Sequence, residues 1–213
     1  MSAGCTDERP LDVPRVELEQ LEGGYFEIAK LPRPTQADCS GTTSFYHRVA
    51  SDEIAVVHEC HEGSLQGPIR RVAARAVVTD PEEPAKWSLD FGGFYGDYWI
   101  VEVAPDYRYV VVGHPSRDYL WILSRTAGMD PADYEGVVGR MKTTGFDVRR
   151  LELTEQDPDR NAVAPLAPSS DVPELSRHGC ALAPRAPGRT SESLGLILVV
   201  GLGALCARRG SKR

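Results

Sequence analysis

The sequence predicts an all-β domain with one packed helix, and three observations carry that prediction. Between residues 25 and 153 the chain breaks into short runs rich in β-branched and aromatic residues. Clusters of Gly, Pro, Asp and Ser separate those runs at close intervals. A single amphipathic stretch, with capping residues at both ends, follows them. Short strands punctuated this way make an antiparallel sandwich or barrel. The runs fall at 25–30, 40–48, 53–61, 69–79, 86–91, 98–103, 107–113 and 119–124. Eight strands suffice to close a small barrel around one ligand.

The helix has a start, a face and a stop. Asp130 suits the N-cap, Pro131 the first turn and Asp133 the positive end of the dipole, while Gly145 can end the helix in the left-handed conformation. Tyr134, Val137, Val138 and Met141 recur at i, i+3, i+4 and i+7. That stripe is expected on the outside of the sheet. A last strand at 148–153 returns the chain to the sheet edge.

Charge and cysteine usage narrow the partners. The net charge is −7, and Lys and Arg are scattered through the body, so there is no basic stripe for nucleic acid. Of the five cysteines, Cys39 and Cys60 lie in the body and bracket a hairpin. If Arg48 pairs with Ser51, then Thr43 faces Val56 and Cys39 faces Cys60, close enough for a disulfide in an oxidising compartment; two buried free thiols are the alternative. His58, Glu59, Cys60 and His61 invite a metal reading, but strand alternation puts His58 and Cys60 on one face and Glu59 and His61 on the other. No metal and no cofactor is therefore expected. Phosphate-cradling, zinc-protease and nucleophile-elbow motifs are absent from the sequence, so no catalytic residue is assigned.

The two ends read differently from the body. Residues 1–19 form an N-terminal segment in which Ser2, Ala3, Gly4 and Cys5 resemble the end of a bacterial lipoprotein signal, without the charged and apolar regions of a whole one. An ordinary surface cysteine near a flexible terminus fits Cys5 equally. Residues 158–192 are rich in Pro, Ala and Ser without a period and read as an extended linker. The apolar run 194–207 falls short of the ~20 residues a spanning helix usually needs, and Arg208, Arg209, Lys212 and Arg213 follow it on what would be the cytoplasmic side. With Gly179 and Cys180 ahead of it, the tail resembles the tripartite sorting signal of myxobacterial type. That likeness implies export, with Cys180 as the processing or lipidation point and the segment after it, 193–213 included, removed as a sorting signal. A plain tail anchor is the alternative.

Three stretches of the body carry a family resemblance. The segment 21–32 contains Gly23, Tyr25, Phe26, Glu27, Ile28 and Ala29 and resembles the first lipocalin signature, Gly-x-Trp-Tyr-Glu-Ile-Ala, with Tyr25 where that family usually has Trp. Phe94 to Ile100, followed by Asp106, Tyr107, Tyr109 and Val110 to Gly113, resembles the central hairpin. Asp118, Tyr119, Leu120, Trp121 and Ile122 to Thr126 resemble the last-strand signature. In family order over residues 20–157, they are similar to bacterial outer-membrane lipocalins and their apolipoprotein D-like kin. The resemblance implies an eight-stranded up-and-down barrel and a floor closed by Gly23, Tyr25 and Arg125, with Arg125 over the Tyr25 ring. It implies a small hydrophobic ligand, a fatty acid or lysophospholipid, held non-covalently in the cell envelope. Trp87, Leu89 and Phe91 share one strand face, which the resemblance makes the interior, and Tyr46, Tyr98, Tyr107 and Trp121 are the other lining residues it implies. Alternation alone leaves open whether Phe45 or Tyr46 points inward. Competing readings are a lipid-modifying enzyme on the same barrel, favoured by a free thiol, and a structural barrel filled by its own aromatics.

Overall fold

Alternation along each strand decides which side chains the barrel encloses. The computed structural model describes residues 10–90, 93 and 95–163. Its strands are β1 (Gly23–Lys30), β2 (Cys39–Arg48), β3 (Glu53–Glu62), β4 (Ile69–Val78), β5 (Lys86–Asp90), β6 (Tyr95–Val103), β7 (Tyr109–Gly113) and β8 (Leu120–Ser124). Each pairs antiparallel with the next, and β1 pairs with both β2 and β8, so the sheet closes as an up-and-down barrel. Closure removes the free edges that an open sheet would present.

Helix α2 (Pro131–Thr143) lies outside the β7, β8 and β1 wall. The Asp130 carboxylate accepts from the Ala132 and Asp133 amides, and Gly145 ends the turn at φ 96°. Val137 and Met141 are buried against Val111, Leu120, Ile122 and Phe146. The same wall turns Val110, Val112 and Leu123 into the barrel. Two apolar clusters thus share one wall, an interior one and one under the helix, as period-2 alternation requires.

The expected elements are corrected in several places. The final strand, expected over 148–153, is a 3-10 turn at Val148–Arg150 and then β9 (Glu152–Leu153), which pairs with Ala29 and Lys30 where β2 has diverged from β1. Strand β7 starts at Tyr109 rather than 107, because Tyr107 sits in a turn at φ 57° with its amide donating to Ala104 O. The β2–β3 register also differs: Arg48 faces Ile54, Thr43 faces Glu59 and Cys39 faces Glu62, with an irregularity between Ser40 and Thr43. The disulfide nevertheless forms, Cα atoms 5.4 Å apart, because Cys39 and Cys60 meet diagonally across the two strands. At the N-terminus, Leu11 and Val16 are buried on the barrel, so the fold extends into the segment expected to precede it. Past residue 157 the chain still touches the barrel, where the Arg160 guanidinium lies 5.7 Å from the Phe26 ring. Cys5, Cys180, most of the expected linker and the apolar tail lie outside the described residues.

The N-terminal segment and helix α1 (Leu18–Leu21) cross one end of the barrel and close it. Leu21 and Val16 pack beside Tyr25, and the Arg125 guanidinium lies 3.7 Å above the Tyr25 ring centroid. Arg125 also donates to Gly24 O at 3.1 Å and Gln20 O at 2.8 Å. Gly23, at φ 101°, leaves room for that guanidinium, which a Cβ would meet at 3.0 Å. The Tyr25 hydroxyl is buried without a hydrogen-bond partner, and burial pushes its pKa up to about 12 against the nearby Arg125 charge. An unmet buried hydroxyl costs about 1–3 kcal/mol. Tyr25→Phe should therefore leave stability unchanged or raise it by about 1 kcal/mol, whereas Arg125→Met, which strands two backbone carbonyls and loses the ring contact, should cost about 2–3 kcal/mol. Urea unfolding of the two variants checks both directions.

Candidate ligand-binding site

From the closed end upward, rings fill the barrel to a definite level. Tyr25 and Tyr46 lie 5.6 Å apart, Tyr46 meets Trp87 edge-on at 5.6 Å, and Trp87 stacks on Tyr98 at 6.0 Å with planes 19° apart. The Tyr46 and Tyr98 hydroxyls share a 2.6 Å hydrogen bond, and Trp87 Nε1 donates to Pro84 O. Burial raises the pKa of both phenols, so they stay neutral donors and acceptors. Offset and edge-on ring pairs, with the polar tips of Tyr46, Trp87 and Tyr98 met, make a rigid floor.

Above that floor a cavity of about 560 Å3 opens, within the roughly 300–1,000 Å3 of small-molecule sites. Tyr98, Leu89 and Thr42, each 5 % exposed or less, lie deepest; Trp121, His58 and the Cys39–Cys60 bridge form the wall; exposed Val72, Tyr95 and Tyr119 rim the mouth. Gly96 faces Leu89 across β5 and β6, and a side chain there would meet nothing within 4 Å. The cavity is less uniformly apolar than the sequence suggests. Arg33, Thr35 and Gln36 from the β1–β2 connection, Arg70 from β4, and Asp97 and His114 also border it.

Of the lining residues expected from the sequence, Leu89, Tyr98 and Trp121 border this cavity. Tyr46 and Trp87 point inward but lie a layer below, in the floor. Tyr107 stands at the opposite, closed end, where its hydroxyl accepts from the Glu17 amide at 2.8 Å. Phe91 lies outside the described residues. Arg33, Thr42, His58 and Gly96 went unassigned from the sequence. The inward parity of β2 and β3 could have found Thr42 and His58, because Tyr46 and Val56 share it; nothing local marks Arg33, which sits in a connection.

A buried relay ties this wall to the chain after the helix. Thr154 Oγ1 donates to Glu27 Oε1 at 2.6 Å, Gln36 Nε2 donates to Glu27 Oε2 at 3.3 Å, and Trp121 Nε1 donates to Gln36 Oε1 at 3.2 Å. Burial raises the Glu27 pKa, against hydrogen bonds from Thr154 and Gln36 and the Lys30 charge. His58 Nδ1 lies 2.8 Å from Ser44 Oγ. Burial first, and the Arg33 charge second, push its pKa down to about 4, so the ring is neutral near pH 7. Cys60 is bridged to Cys39, so its sulfur is not a free thiolate beside His58 and His61. Arg70 covers the bridge, its guanidinium 2.8 Å from Cys39 Sγ and bonded to Thr35 O and Asp38.

Comparison with known proteins agrees with this geometry. A family model described as a lipocalin-like domain matches residues 16–156. The chain is 31% identical over 170 residues to temperature-induced lipocalin-1 of Arabidopsis thaliana, covering 75% of this chain and 91% of that one. It is 29% identical over 142 residues to outer membrane lipoprotein Blc of Vibrio cholerae, covering 66% and 82%. Among solved structures, lobster apocrustacyanin A1 superposes with a TM-score of 0.54 at 16% identity over 70% of this chain and 90% of that one. Insecticyanin of the tobacco hornworm does so at 0.51 and 20%, over 70% and 88%. At those identities the structural likeness speaks for the fold.

Two outcomes follow from the wall. Replacing both Cys39 and Cys60 by Ala removes a cross-link between positions 21 apart and should cost about 3 kcal/mol, read as a lower urea midpoint that matches the reduced wild type. His58 has a folded pKa below its unfolded value of 6.5, so the unfolded state binds more protons between them. Its contribution is intact above pH 6.5 and is lost as pH falls toward about 4. Glu27, with a raised folded pKa, acts in the opposite sense. The difference in stability between wild type and His58→Gln should therefore shrink by a few kcal/mol from pH 7 to pH 4; a pH-independent difference would contradict a buried neutral imidazole.

Proposed function

The chain belongs to the lipocalin-like domain family, and from that premise we propose that it binds a small hydrophobic ligand, a fatty acid or lysophospholipid, and stores or carries it in the bacterial cell envelope. The observation that carries this reading is the hollow above Tyr98: about 560 Å3, with rings below it and the exposed Val72, Tyr95 and Tyr119 among the described residues at its rim. Apolar ligand surface buried there contributes ~25 cal/mol per Å2. The family relatives named outer membrane lipoprotein support an envelope location. Attachment through the C-terminal segment, with lipid at Cys180 or Cys5, belongs to the same proposal, as does a barrel spanning 20–157. Two observations weigh against the competing readings: Cys39 and Cys60 are consumed in a disulfide, and the rings among the described residues leave a hollow of about 560 Å3.

Native mass spectrometry of freshly purified protein should show a co-purifying lipid, and a fatty-acid panel should quench tryptophan fluorescence in the delipidated protein. Gly96→Leu, which grows into open cavity space, should weaken that binding about tenfold or more without lowering the urea midpoint. If no lipid co-purifies and no member of the panel binds, the carrier reading fails.

A further inference from the structure

Arg70 is fixed against both sulfurs of the Cys39–Cys60 bridge. It faces Cys60 in the β3–β4 register, and its Nη2 lies 2.8 Å from Cys39 Sγ and 3.6 Å from Cys60 Sγ. Thr35 O at 3.0 Å, Asp38 Oδ1 at 3.1 Å and Glu62 Oε1 at 3.6 Å hold the guanidinium there. A bridged sulfur is neutral and a weak acceptor, so the cation gains little from it. A thiolate is charged, and the same donor interacts with it far more strongly. The guanidinium therefore favours the opened pair over the bridge.

The two sulfurs differ in access. Both cysteines border the cavity, but Cys60 is buried and Cys39 only half-buried. An incoming thiolate thus meets Cys39 Sγ, and Cys60 Sγ is the leaving group. The other charges nearby leave Arg70 in command of the sulfurs. Asp38 and Glu62 oppose it, but both are exposed, and water screens them more than it screens a charge forming on buried Cys60. Glu59 is bonded to Arg71, His61 Nδ1 lies on Gly67 O, and His58 is neutral. Asp157 and Arg160, of opposite sign, stand across a separate recess that Cys60 also borders.

We propose that Cys39–Cys60 is a thiol–disulfide exchange site, opened by a dithiol, at which Arg70 holds the negative charge that forms on sulfur. The proposal goes beyond the carrier reading and does not depend on it. A thiolate of the dithiol attacks Cys39 Sγ, the bond between the two sulfurs breaks, and its electron pair goes to Cys60 Sγ beside Arg70. The dithiol's second thiolate then attacks its own sulfur in the mixed disulfide, and Cys39 Sγ leaves next to the same guanidinium. Two electrons pass to the protein, which ends with two cysteine thiols or thiolates, and the dithiol ends as a disulfide, its two protons going to the cysteines or to water. The bridged and opened forms differ at the start of β2, where the connection carrying Arg33, Thr35 and Gln36 along the cavity enters the sheet.

The test is reduction of the full chain by dithiothreitol at pH 7, followed by alkylation and peptide mass spectrometry, which reads Cys39 and Cys60 apart from Cys5, Cys180 and Cys206. The wild-type bridge should open about tenfold or more faster than that of Arg70→Met, the size expected of a charge-assisted hydrogen bond. Its equilibrium constant for reduction should be larger by a similar factor, ~30 mV for a tenfold change. In the reduced proteins, the rate of Cys39 alkylation should reach half its maximum about one pH unit or more lower in the wild type than in Arg70→Met, a readout that a purely structural arginine would not move. Arg70→Lys, which keeps the charge, should recover part of each difference. A loosened fold in Arg70→Met would speed opening, the opposite sign. Equal or faster opening in Arg70→Met, an unmoved Cys39 profile, or a Lys variant no different from the Met one would overturn the exchange site. The bridge would then be a structural staple, and the carrier reading would stand.

Discussion

The height to which aromatic rings fill the barrel governs everything else about this protein. The Tyr46–Tyr98 hydroxyl pair and the Trp87–Tyr98 stack set that fill level. Below it, Tyr25 under Arg125 packs with Val16 and Leu21 of the crossing segment. Above it the same closed sheet encloses space. Because the Tyr46 and Tyr98 phenols satisfy each other, this level of the floor needs no water or ligand to complete it.

The wall above the floor is stiffened from outside. Helix α2 covers the β7 and β8 face, and the residues after it return to fill the gap where β1 and β2 part. Gly41 N donates to Glu155 O, and Gln156 donates to Glu27 O and Thr42 O across that gap. The relay from Thr154 through Glu27 and Gln36 then reaches Trp121 in the cavity. Packing outside the barrel is thereby coupled to the orientation of a ring inside it, and the disulfide fixes the neighbouring stretch of the mouth.

The strands were legible in the sequence because one-sided burial stamps a period of two on them, and the helix because its caps and stripe are local. The same parity put Trp87 and Leu89 on one face, and the family resemblance made that face the interior. The disulfide was legible as a pairing but not as a register, since the irregularity between Ser40 and Thr43 shifts the strands, and diagonal as well as direct neighbours can bridge. Tyr107, a lining residue implied by the resemblance, sits instead in the turn before β7 with its hydroxyl on the Glu17 amide, away from the cavity, because a motif gives a residue's place in the chain and not the end of the barrel it occupies. Arg33 left no local mark at all: its position depends on how the β1–β2 connection folds over Tyr119 and Trp121, a tertiary contact between residues far apart in the chain.

Three tryptophans sit at three distinct places: Trp121 in the cavity wall, Trp87 in the sealed floor, and Trp99 on the outer face beside Lys86. A fatty acid brominated along its chain quenches only rings it touches, so single-tryptophan variants report where the chain lies. With ligand in the hollow above Tyr98, saturating bromo-acid should quench the Trp121 variant strongly and leave the Trp99 variant bright. Equal quenching of both, or quenching of Trp99 alone, would place the ligand outside the barrel and contradict an internal site.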